Sequence, residues 1–353
     1  MEKKQIQHQK SEITLATILF MLLVIFIHIS SEGVMEYDKT TLEFLLINSL
    51  NRLSTFVVQG FIFLSGLKLF LNFRESFNYG KFFVSRLKRV ILPYFIVFLI
   101  FYIGSTFTKY ITPSPTHFLS TFITGKLQSH FYFVIIICQF YLLMPLWRLI
   151  YRRGNALLCL TVSLFIMLIT NQYLPEIIRV ISGYNFTLNS RVFTTYLFYF
   201  VAGIFAARYY DEFTLFLIER TKSIVILFLI TGAINCVVIN VIRRGIYYAY
   251  WADNFHALYC IFAILLSLRI ALSVSEISRS NKPIVSLTYD ASYNVYLIHP
   301  LFIGMMNEAL NSMGITSLTI RFFLKLIIIP TVSIGICVIL EYLKKIFMQK
   351  KGT

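Results

Sequence analysis

The sequence is short of charge. Only 14% of its 353 residues are Asp, Glu, Lys or Arg, where a soluble domain carries about a quarter. Acid is scarcer still, with 16 Asp and Glu against 32 Lys and Arg and a formal net charge of +16. So little charge cannot clothe a soluble surface of this size, and a disordered chain needs more polarity, so both classes are excluded. Cysteine is sparse. Its five copies, Cys138, Cys159, Cys236, Cys260 and Cys337, sit in apolar runs without C-x-x-C spacing. They read as small buried hydrophobes, and neither disulfides nor a metal site is expected. The sequence has no phosphate-cradling glycine loop, zinc signature or dinucleotide fingerprint, and no long polar linker.

What it has is apolar mass: 58% of the chain, with 35 Phe and 22 Tyr and a mean hydropathy of +0.74. The composition predicts an all-α polytopic membrane protein. The basic residues fall mostly between apolar segments, which is the positive-inside pattern and not a nucleic-acid surface. Ten segments are expected, at about 13–31, 53–71, 90–108, 130–147, 155–171, 192–207, 223–241, 254–274, 287–307 and 322–341. The first lacks a small-residue cleavage site and reads as a retained helix. Placing both termini in the cytoplasm puts 20 Lys and Arg inside and seven in outer loops, the asymmetry the positive-inside rule favours. Five more, Arg52, Lys68, Arg269, Arg321 and Lys325, sit within or at the edges of helices. The expected organisation is a cytoplasmic segment over 1–12, one bundle of about ten helices over 13–341, and a basic cytoplasmic tail over 342–353.

Several residues are candidates for chemistry. His28 lies near the outer end of the first segment, and an ionisable group at that depth is costly unless used or paired. It reads either as a general base or as a helix-end histidine with a local partner. Glu32, four residues on, shares its face and either orients the ring or opens the loop. His299 precedes Pro300, which kinks the ninth segment. With Tyr293 and Tyr296 it makes a polar patch that fits an acceptor pocket or helix packing. Arg86 and Arg89, three apart in SRLKRVILPYF, share a helical face and suit phosphate. Membrane anchoring explains them equally well. Ser65 and Gly66 allow close helix approach, and no triad spacing supports Ser65 as a nucleophile. His130 opens the fourth segment at the outer surface, and Gln139 further along needs a buried partner. His8, His117 and His256 have no organised surroundings.

Together these pieces resemble membrane-integral acyltransferase family 3, the O-acyltransferases of bacterial surface glycans. The resemblance runs over most of the chain. It includes the first helix with His28, FIFLSG at 61–66, RLKRVILPYF at 86–95, HFYFVIIICQFYLLMP at 130–145, YLFYFVAGIF at 196–205 and SYNVYLIHP at 292–300. Each motif is weak alone, and their order and spacing are more telling. The chain is most similar to short exopolysaccharide or cell-wall members. The resemblance implies a multi-pass protein of the bacterial plasma membrane that moves a short acyl group, acetyl first, from acyl-CoA to a hydroxyl of a surface glycan or lipid-linked sugar. It implies His28 and Glu32 as catalytic, Arg86 and Arg89 on the donor phosphates, and Ser65, His130, Tyr293, Tyr296 and His299 around the substrate. No metal and no nucleic-acid partner are implied, and a homo-oligomer or glycan synthase complex is left open. The family usually has arginine eleven residues before the helix 1 histidine. Here that position is Thr17, with Arg52 or Lys68 as substitutes. A glycan exporter or flippase, or a non-catalytic subunit of a glycan synthesis complex, stands as the alternative.

Overall fold

The computed structural model describes residues 10–277 and 283–351. His8, most of the 1–12 segment and the last two residues of the basic tail lie outside them. The described elements are all helical: α1 (Ser11–Glu36), α2 (Leu42–Ser54), α3 (Val57–Leu71), α4 (Tyr79–Arg86), a π-helical turn over Leu87–Ile91, α5 (Leu92–Phe107), α6 (Pro115–Thr124), α7 (Tyr132–Leu142), α8 (Met144–Arg153), α9 (Ala156–Ser182), α10 (Leu197–Arg208), α11 (Tyr210–Glu219), α12 (Thr221–Arg243), α13 (Ala252–Ile277), α14 (Pro283–Ser312) and α15 (Leu318–Lys351). Among the described residues seven helices are long and apolar enough to cross a membrane. The number is eight if α6 and the helical pair Ser129–Leu142, bent by 55° against it, form one span.

Local chemistry sets the boundaries. The third span starts at Tyr79, not near 90, because Asn78 caps it: the Asn78 side chain accepts the Lys81 N–H at 2.9 Å. The basic motif is therefore helical and not a loop. Its π turn ends just ahead of Pro93, where the missing proline N–H already interrupts the ladder. Thr41 caps α2 by accepting the Phe44 N–H, and Gly125 and Gly183 end α6 and α9 at positive φ.

The helices gather into two compact units. One contains Thr214–Ile246, the described residues up to Val57, and those from Tyr259 onward; the other is Val58–Phe213 with Tyr247–Leu258. Apolar periodicity identifies a segment as a helix but not the neighbours it selects. In the first unit α1 packs on α2, α14 and α15, with Phe20 edge-on to Phe56 at 5.5 Å. In the second, α3 and α10 cross at paired glycines. A Cβ at Gly66 would meet the Phe200 carbonyl oxygen, and one at Gly203 the Phe63 carbonyl oxygen. Only residues without a side chain permit that approach. Gly203→Val is expected to destabilise the protein by roughly 1–3 kcal/mol through overpacking. A thermal midpoint in detergent equal to that of the wild type would remove the close crossing from the account.

Candidate functional site

Four of the predicted residues meet in the first unit. The rings of His28 on α1 and His299 on α14 lie 5.0 Å apart. Tyr296 stands 6.2 Å from His299, and Tyr293 stacks on Tyr296 at 6.4 Å. His299 is fully buried. Its pose follows from the residue after it. Proline at 300 has no N–H to give the Tyr296 carbonyl, four residues back. The His299 Nδ1 takes that oxygen instead, at 2.8 Å, with the Val295 carbonyl at 3.2 Å. Carbonyl oxygens only accept, so Nδ1 carries the proton and, in the neutral ring, Nε2 holds the lone pair.

Glu32 is ion-paired to two cations. Its Oε1 accepts from Arg321 Nε at 2.9 Å and its Oε2 from Lys325 Nζ, both on α15. Arg321 also donates through Nη1 to Asn311 Oδ1 at 2.8 Å and the Ile315 carbonyl at 3.1 Å, and through Nη2 to Asn307 Oδ1 at 3.5 Å. The Arg321 and Lys325 side chains are 9% and 1% exposed. Two cations four residues apart in an apolar run are the signal that would have found this cluster.

Nearby, Asn51 on α2 donates to the Ile27 carbonyl at 3.0 Å and to Ser30 Oγ at 2.8 Å, bracing α1 beside His28. Thr17 turns its hydroxyl onto the Ile13 carbonyl at 2.7 Å. Of its suggested substitutes, Arg52 donates to Asn235 on α12, and Lys68 belongs to the second unit.

The second unit holds Arg86, Arg89, Ser65 and His130. Arg86 is half-buried, its guanidinium 5.0 Å from the Phe82 ring centre and 5.2 Å from that of Tyr141. Arg89 is exposed and lines an open recess of about 500 Å³ with Gly80, Lys81, Val84, Ser85 and Lys88. Arg89 lies within a wide π turn, Leu87–Ile91, that follows Arg86 and changes the register that an α-helix would give. Ser65 donates to its own helix at the Phe61 carbonyl, 2.7 Å away. His130 is buried beside Phe131, with ring centres 4.4 Å apart. Gln139 has the partner it needs: it donates to the Arg191 carbonyl at 2.7 Å and accepts the Phe193 N–H at 3.1 Å.

These features define a multi-pass helical membrane protein with a histidine pair and an ion cluster gathered among three helices. Residues 11–342 match the family model Acyl_transf_3, an acyltransferase domain, and the chain belongs to acyltransferase family 3. No curated protein and no solved structure matches it.

Proposed function

We propose that the protein is an O-acyltransferase of the bacterial plasma membrane, moving a short acyl group, acetyl first, from cytoplasmic acyl-CoA to a hydroxyl of a surface or cell-wall glycan or lipid-linked sugar. The observation that carries this reading is the His28–His299 pair, with His299 buried and its tautomer fixed. His28 takes the proton of an acceptor hydroxyl as that oxygen attacks the thioester carbonyl. The C–S bond breaks, the CoA sulfur leaves, and the imidazolium returns the proton to it. His28 is seventeen residues from the start of α1, or roughly 25 Å along the axis, so the donor's pantetheine arm threads deep into the protein. Reconstituted protein given radiolabelled acetyl-CoA and candidate glycans is expected to label the glycan. Glycan crossing the bilayer without acyl-CoA would favour an exporter instead.

Arg89 is the better donor contact, since it faces an open basic recess while Arg86 lies over two rings. Arg89→Gln is expected to weaken acyl-CoA binding by about tenfold or more, whereas Lys344→Gln with Lys345→Gln changes it little. Calorimetry on purified protein measures both, and equal losses would return Arg89 to membrane anchoring.

For the topology we propose ten spans with both termini cytoplasmic. The bent pair, the shorter apolar helix Phe193–Arg208 and α14 join the seven long spans to reach that number. A cysteine at Ser190 should react with an impermeant thiol reagent in intact cells. One at Gly352, outside the described residues, should react only in opened cells. The reverse pattern inverts the orientation.

A further inference from the structure

The ion cluster beside the histidine pair is out of balance. One carboxylate, Glu32, faces two cations, Arg321 and Lys325, and the remaining contacts of Arg321 are neutral oxygens of Asn307, Asn311 and Ile315. A buried excess of one positive charge at membrane depth is costly until an anion joins it. Arg321 has one N–H of Nη2 left over, and most of the remaining donor capacity is on Lys325. Its ammonium has three N–H groups; Glu32 takes one, and no other described residue accepts from it. The Lys325 side chain is 1% exposed. Glu32 is four residues beyond His28 on α1, about 6 Å along the axis and on the same face. The carboxylate that holds Lys325 is therefore about one helical turn from His28 along α1.

We infer that Lys325 and Arg321 form an anion subsite that selects an acceptor bearing a carboxylate or phosphate next to the acylated hydroxyl. This rests on the reading of His28 as the base that receives the acceptor. The lysine is the primary contact. Arg321 and Glu32 position it: the carboxylate holds the ammonium in place, and the guanidinium keeps the local field positive after that carboxylate is counted.

The test uses the full-length purified protein in detergent, without acyl donor. Thermal midpoints are read in glucuronate, inorganic phosphate and glucose at matched ionic strength. Glucuronate or phosphate should raise the midpoint saturably and glucose should not, and the better of the two anions separates a glycan carboxylate from a lipid-linker phosphate. Lys325→Met should raise the half-saturating concentration at least about tenfold, and Lys325→Arg should keep binding. Identical midpoints of the wild-type protein in all three probes overturn the subsite whether or not the variants fold. An undiminished shift in Lys325→Met overturns it too. A transfer assay separates this inference from the reading it rests on. Equal acylation of neutral and anionic acceptors removes the subsite and leaves acyl transfer standing. Saturable anion binding without transfer to any acceptor does the opposite.

Discussion

Glycan from cells carrying His28→Ala is expected to lose its O-acyl ester while the protein stays in the membrane at its normal level. In liposomes the same variant should transfer label about 10²–10⁴ times more slowly, the usual contribution of a positioned base. Two features make the expectation specific. His28 sits on α1, a 26-residue helix whose long apolar stretch does not need a histidine to insert. It also faces His299 at 5.0 Å between ring centres, so losing it empties one side of the pair without touching the lock on the other. Alanine adds helix propensity, so a folding failure is not anticipated. Full acylation in the variant would remove His28 from the chemistry and leave the pair a packing contact.

Glu32→Gln is expected to cost about 3–5 kcal/mol of stability, because it leaves two buried cations without their carboxylate. Glutamine keeps the volume, so the loss reports charge and not a cavity. Adding Lys325→Met should recover part of the loss, and the non-additivity measures the coupling. Denaturation in detergent gives both numbers. A Glu32→Gln protein as stable as the wild type would mean that water or lipid phosphate already neutralises the cluster.

Much of the architecture was legible because a bilayer leaves the chain few options: long apolar runs become helices, and the runs are plain in the composition. Each expected segment falls on helix in the structure. What the runs conceal is local and pairwise. The Asn78 cap extends the third span into a stretch whose lysines and arginines look like loop. The π turn that parts Arg86 from Arg89 depends on how the ladder adapts ahead of Pro93, which spacing rules for an α-helix do not anticipate. The histidine pair was named in both its members, but nothing in either segment says that α1 and α14 touch. The Glu32 cluster was missed for the opposite reason. Its cations were visible as isolated charges in an apolar run, and their carboxylate lies 289 residues from Arg321. The partition into two units rests on choices among helices of near-identical composition, to which hydropathy is blind.

The tie between His299 and the Tyr296 carbonyl also bears on insulation. A histidine with both nitrogens free can take a proton at one and release it at the other, which makes a relay. Here one nitrogen completes a backbone ladder that Pro300 left open. The ring then exchanges protons only through Nε2, and whatever enters there leaves by the same door. On the proposed mechanism, a proton that reached His299 would meet a cul-de-sac, and turnover would not short-circuit the gradient that the membrane maintains.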